Sequence, residues 1–197
     1  MSSKAEQRKA ELRDRLVDVT GRRIASDGLS SVKARDVAAE AGCALGAIYN
    51  VFDDLNALIL AVNGRTFRKI GEAVAASLSD SAGRMPVERL ILMSNAYLGF
   101  AAENTHLWRA LFDIDMSNDG AVPDWYRDEL QTLFGHIAGP VAELFPDLGP
   151  KELDLMVRAL FSAVHGIVLL GLQNRISGVS RHNIEAMIAQ VLCRIGN

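Results

Sequence analysis

Two cysteines, Cys43 and Cys193, are all that the 197 residues contain. They are far apart in sequence and neither has metal-ligand spacing around it, which removes a structural zinc site and leaves a reduced cytosolic chain as the simplest reading. With 5 prolines, little interrupts long helices. There is no phosphate loop, no zinc helix with paired histidines and no nucleophile elbow. His106, His136 and His165 are scattered without ligand spacing, and Asp113 and Asp115 would leave a helix on different faces. An enzyme is therefore not expected, and neither is a cofactor or a metal. The N-terminal MSSKAEQRKAELRDR has no apolar segment behind it, so it is not a signal peptide. The longest apolar run, Ala159 to Leu172, is short for a membrane span and carries His165 and Gly166; a buried helix in a cytoplasmic protein fits better. Basic residues are not in excess either: 21 Lys and Arg against 24 Asp and Glu give a net charge of −3. That argues against a general nucleic-acid coat, while leaving room for a reader with a few local cations.

What is present is apolar and helical. Hydrophobic content is 49%, enough for a core and too high for disorder. The length allows one sizeable domain or two small ones. The most informative stretch is Asp36 to Phe52, DVAAEAGCALGAIYNVF. Val37, Ala38 and Ala41 share one face at helical spacing. Gly42 can take the positive φ that ends a helix and turns the chain. A second short helix then runs from about Ala44 to Val51, with Ile48, Val51 and Phe52 pointing back at the first. Two helices joined by a short Gly-containing turn make a helix-turn-helix, whose second helix enters the major groove of DNA.

Gly28, Val37-Ala38, Ala41-Gly42, Gly46, Ile48-Tyr49, Phe52 and Leu58, at their spacing over Arg8 to Ala61, resemble the DNA-binding domain of the TetR family of transcriptional regulators. The resemblance implies an all-α fold, with an N-terminal three-helix DNA-binding domain over 1–54 and a C-terminal helical ligand-binding and dimerisation domain over 55–197. It also implies that Tyr49 places a hydroxyl on a phosphate and that the start of the first helix, with Lys4, Arg8 and Lys9, lies near the DNA backbone. Cations there oppose the helix dipole, so the end frays or an anion lies nearby. Val32 stands where the family usually has a capping threonine; Ser30-Ser31 offers a replacement N-cap one residue earlier. Lys33 and Arg35, in the first turn of the next helix, can reach phosphates. The reading helix itself carries no Lys or Arg, so arginine on guanine is unavailable to it. Its outward residues are Ala44, Leu45, Ala47 and Asn50, suited to thymine methyls and one polar reach. Gly46 lets the backbone approach closely. Ala44 replaces a common serine and Leu55 a common lysine, so shape readout gains weight.

Downstream the periodicity predicts helices over Leu55–Leu78, Val87–Glu103, a segment after Thr105, Asp124–Leu144 with a bend near Gly139-Pro140, Lys151–Arg175 and Ser180–Ile195. Ser77 to Pro86 is the linker by composition. The Phe161 to Leu172 stretch is apolar on most sides and needs more cover than one chain supplies, so the last two helices are expected to pair with their copies in a homodimer. Two heads on one axis could then engage half-sites of a palindromic double-stranded operator. The aromatics cluster mid-chain. Tyr97, Phe100, His106, Trp108, Phe112, Trp125, Phe161 and His165 are the candidates for the pocket of an unidentified small-molecule effector. Plain core is the competing reading for each. The resulting expectation is a ligand-released repressor. A helical ligand- or protein-binding dimer that has lost DNA binding stays open beside it.

Overall fold

The computed structural model describes residues 3–114, 122–173 and 179–195. Those residues contain helices and turns and no strand. The helices are α1 (Lys4–Asp27), α2 (Ala34–Glu40), α3 (Leu45–Tyr49), α4 (Leu55–Ala76), α5 (Pro86–Glu103), α6 (Thr105–Asp113), α7 (Asp124–Leu144), α8 (Pro150–Leu172) and α9 (Arg181–Ile195), with a 3-10 turn at Leu29–Ser31. Asp115, Arg175 and most of the polar break before Pro123 lie outside the described residues. The chain forms two compact units: Met1–Thr66 with Asn104–Tyr126, and Phe67–Glu103 with Arg127–Asn197.

The first unit holds α1, α2, α3, the first half of α4, and α6. Its core is Leu16, Val17, Ile24, Val37, Ile48, Phe52, Leu58 and Val62, with Ala110 from α6. The start of α1 carries a capping box: Glu6 N donates to Ser3 Oγ at 3.2 Å and Ser3 N to Glu6 Oε2 at 2.6 Å. The Glu6 carboxylate there offsets the cations that sequence alone marks as unfavourable. Gly28 closes α1 at φ 80 and Gly42 turns α2 into α3 at φ 67, the left-handed region that a side chain rarely tolerates. The expected cap at Ser30-Ser31 is not made. Ser31 Oγ donates to the carbonyls of Gly28 (2.7 Å) and Arg23 (3.2 Å), closing the 3-10 turn. Val32 then enters the core, and α2 starts with Lys33 as an N-cap that makes no side-chain hydrogen bond. On α4, Asp54 Oδ1 accepts from Ala57 N at 2.6 Å, which caps that helix one residue before Leu55. Asn63, fully buried, donates to the Ala110 carbonyl at 2.9 Å and ties α4 to α6. Burial pushes the Tyr126 hydroxyl above its ordinary range, against a smaller opposing effect of Asn63.

The second unit holds the rest of α4 with α5, α7, α8 and α9. Turns over 77–85 join α4 to α5, and α5 begins at Pro86, a residue suited to a first helical turn. Helix α7 runs on through Pro140, which has no N–H to give the preceding turn. Helix α8 opens with Pro150 at its first turn, and Gly149 N donates to Glu152 Oε2 at 3.0 Å. Helices α8 and α9 meet where Gly171 faces Ile184. Among the described residues α8 is the one helix long and apolar enough to cross a membrane, and 28% of its most apolar window is buried. Val157, Leu160, Val164 and Val168 are its buried side in one chain. Leu155 is 66% and Leu170 48% exposed, because α8 is apolar on more sides than its neighbours in one chain can cover.

Candidate nucleic-acid interface and effector cavity

Helix α3 is short, and its burial pattern separates two roles. Ile48 is fully buried and Phe52 nearly so, which fixes the helix on α2 and α4. Ala44, Leu45, Gly46, Tyr49 and Asn50 are exposed and Ala47 is half-buried. Tyr49 is 50% exposed. Among the described residues nothing lies within 4 Å of a Cβ built at Gly46, so packing does not demand the glycine. Ala44 is the N-cap of α3, with extended φ −69 and ψ 148, and makes no side-chain cap bond.

The charges around this face are arranged unevenly. Arg22 and Arg23 on α1 reach Glu40 at 3.1 and 3.3 Å, and Arg23 also reaches Asp36 at 3.4 Å. These pairs hold α2 against α1. Mainly the Arg22 hydrogen bond, with help from Arg23, keeps the Glu40 carboxyl below its ordinary range despite an opposing desolvation effect. Lys33 and Arg35 are exposed and take part in no ion pair among the described residues, so their charge faces solvent. Arg13, which sequence reasoning missed, places its guanidinium over the Phe52 ring at 5.2 Å, a cation–π contact that holds a positive charge beside the end of the reading helix. No local signal joins residues 13 and 52; only the tertiary fold brings them together.

The second unit holds a partly open cavity. Its free volume, counted as room for the centres of water-sized spheres, is about 50 Å³, and its walls come from Val74, Leu90, Met93, Ser94, Tyr97, Leu133, Ile137, Leu160, Phe161, Val164 and Leu192. Tyr97 and Phe161 meet edge to face at 5.8 Å, and Phe134 meets Phe161 likewise at 5.1 Å. His165 stacks on Phe161 at 5.7 Å, and its Nδ1 is 2.8 Å from the Tyr97 hydroxyl oxygen. Burial lowers the His165 pKa below its ordinary 6.5, which favours the neutral imidazole.

Of the aromatic candidates, Tyr97, Phe161 and His165 are brought together here. Phe100 is half-buried on α5, outside the lining. His106, Trp108, Phe112 and Trp125 belong to the first unit. There His106 Nδ1 is 3.1 Å from the Ala25 carbonyl oxygen, Trp108 is fully buried, Phe112 packs edge-on against Trp108 at 5.7 Å, and the Trp125 ring covers Gly64. The aliphatic walls were missed as site residues. Their signal was legible as the i, i+3, i+4, i+7 row Leu90, Met93, Ser94 and Tyr97, but such a row reads equally as core. Among the described residues no group of three His, Cys, Asp or Glu is placed to hold a metal ion.

The tetracyclin repressor-like C-terminal domain is matched over residues 90–195, more than half of the chain. The chain belongs to the TetR family of transcriptional regulators. Solved structures share its fold along nearly the whole length. A protein of unknown function from Rhodococcus sp. RHA1 superposes with a TM-score of 0.74 at 20% identity, covering 93% of this chain and 94% of that one. RolR in complex with resorcinol gives 0.70 at 19%, covering 96% and 89%. FadR from Bacillus subtilis in complex with stearoyl-CoA gives 0.68 at 14%, covering 91% and 96%. At these identities the likeness is one of fold. No curated protein matches the sequence at a significant level.

Proposed function

We propose that this TetR-family chain is a DNA-binding repressor that grips a palindromic operator as a homodimer and is released by a small-molecule effector. The observation that carries the reading is the exposed face of α3, with Ala44, Leu45, Tyr49 and Asn50 outward over a buried Ile48. In this reading residues 1–54 form the DNA-binding domain and 55–197 the ligand-binding and dimerisation domain. Lys33, Arg35 and the Tyr49 hydroxyl take phosphates and set register. Leu45, Ala44 and Ala47 meet thymine methyls, and Asn50 reads a base edge. The exposed apolar side chains Leu155 and Leu170 on α8 and Met187 and Val191 on α9 are covered by the same helices of a second copy. The protein works in the cytoplasm.

The cavity supplies the effector site. That neighbours in fold were solved with resorcinol and with stearoyl-CoA supports a small-molecule effector. Helix α5, whose residues line the cavity, ends at Glu103. Two residues later α6 begins, and it packs on α1 and the 3-10 turn of the head. A ligand that favours one setting of α5 can bias the head through this covalent link, by no more than its own difference in affinity for the two settings.

Selection of binding sites from random DNA, followed by a salt titration on the selected duplex, tests the reading. Affinity should fall steeply with salt through counterion release. Lys33→Ala and Arg35→Ala should each weaken all sequences alike and lower the salt slope by about one, while Asn50→Ala should alter base preference. A second reading, a helical dimer that binds a ligand or protein without DNA, is favoured by the absence of any Lys or Arg on α3. Failure to select any duplex at low ionic strength would decide for it.

A further inference from the structure

The walls of the cavity in the second unit restrict what can fill it. Not one of the lining residues is charged, and only Ser94 and Tyr97 bring a side-chain oxygen. A charge carried inside the cavity would leave water without a counter-charge among those residues, a penalty that disfavours a carboxylate or phosphate seated against them. Size is the second restriction. At about 50 Å³ the cavity is smaller than the ~150 Å³ apolar cavity that takes one benzene, so a single ring, part of it in the open mouth, is the most it takes. The aromatic walls Tyr97 and Phe161 are held by each other and by His165, so they offer a flat, fixed surface.

The third restriction is the sense of the hydrogen bond. Ser94 Oγ donates its one proton to the Leu90 carbonyl at 2.8 Å. What the serine can still offer is a lone pair, so it favours a ligand that donates. We infer that the cavity takes a compact, uncharged, single-ring molecule bearing one hydrogen-bond donor, and that Ser94 Oγ receives that donor. The inference rests on the reading of this cavity as the effector site.

Isothermal titration of the full chain, free of DNA, near pH 7.5 tests it with three probes. Two are isomers, 4-ethylphenol, which can donate, and 4-methylanisole, which cannot; the third is the anion 4-methylbenzoate. The phenol should bind the wild type. Its isomer should bind about 3–10-fold more weakly, the worth of one neutral hydrogen bond, and the benzoate at least about 100-fold more weakly. Ser94→Ala should lower the phenol to the level of its isomer and leave the isomer unchanged, a pattern that a general loosening of the cavity does not produce. Equal binding of the two isomers, benzoate binding as tightly as the phenol, or no binding by any probe overturns the inference. Operator affinity measured beside each titration separates it from the switch. Phenol bound with operator affinity unchanged sinks the switch and keeps the ligand class, whereas benzoate that binds and releases the operator sinks the class and keeps the switch.

Discussion

Gly171 of α8 faces Ile184 of α9, and its replacement by alanine sets two known effects against each other. A Cβ placed there would lie 2.7 Å from both Cδ1 and Cγ1 of Ile184 and 3.5 Å from its Cγ2. Carbon atoms in contact prefer about 3.5–4.0 Å, so two atoms of the isoleucine must move by most of an ångström. Ile184 is 1% exposed, and a buried side chain in a packed interior has little space to move into. Overpacking of this kind costs about 1–3 kcal/mol. Against it stands the helix preference for alanine over glycine, about 1 kcal/mol. The overpacking wins, and Gly171→Ala should destabilise the protein by about 1 kcal/mol. Ile184→Ala alone should cost about 2–5 kcal/mol. In that background the clash is gone, the helix preference remains and the new methyl fills part of the hole, so Gly171→Ala should stabilise. The two changes are therefore coupled by about 2 kcal/mol, with a reversal of sign. Urea unfolding followed by circular dichroism reads all four variants. Protein concentration must be held constant, because the proposed dimerisation would add to apparent stability. A Gly171→Ala variant as stable as wild type, or effects that simply add, would refute the reasoning.

Three other outcomes follow from the structure. Ala44→Ser supplies the N-cap oxygen that α3 lacks and should stabilise the head by about 1 kcal/mol, read as slower hydrogen exchange of the α3 amides; unchanged exchange would count against the cap geometry. His165 resists in the folded state a proton that the unfolded chain accepts, because burial lowers its pKa below 6.5. Stability from this group is thus fully present above about pH 6.5 and declines as the pH falls from there through the lower folded value, and the drop in urea midpoint between pH 7.5 and 5.5 should shrink in His165→Gln. Leu170→Glu puts a charge on an apolar side chain that is 48% exposed in one chain and that the dimer reading buries; light scattering should show a monomer of unchanged helix content, and a persistent dimer would remove α8 from the interface.

Much of the head was legible because its signals are local. Gly42 announces a positive φ and adopts it. Val37, Ala38, Ile48 and Phe52 form a face by spacing alone and are buried as that face requires. The alternation of apolar stripes and polar breaks also placed the later helices to within a few residues. What failed depended on competition between neighbours. Ser31 is a good cap by type, yet the 3-10 turn claims its hydroxyl and Val32 claims the core, so α2 begins later. The effector site was only partly legible for a different reason. Aromatic clustering in sequence cannot say which helix packs with which. Trp108 lies five residues beyond the end of α5, yet it is buried in the unit that holds the reading head, while the cavity draws its walls from aliphatic residues on α4, α5, α7, α8 and α9.

The uncharged face of α3 has a consequence for how selectivity would respond to salt. In the proposed complex the cations that meet phosphates, Lys33 and Arg35, sit at the start of α2, and Arg13 is held over Phe52 beside the end of the reading helix. The residues that meet bases, Leu45, Ala47 and Asn50, carry no charge. Counterion release acts on the phosphate contacts, while apolar contact with thymine methyls and an amide hydrogen bond are nearly indifferent to ionic strength. Affinity and preference are then separable in this head. Raising salt should lower binding to every duplex by a common factor and leave the ranking of sequences as it was. A regulator that read guanine through arginine would instead risk the same residues serving both ends. A ranking that reorders with salt would mean that a cation outside α3 reaches a base edge or a narrow minor groove, and Arg13 is the first residue to replace in asking which.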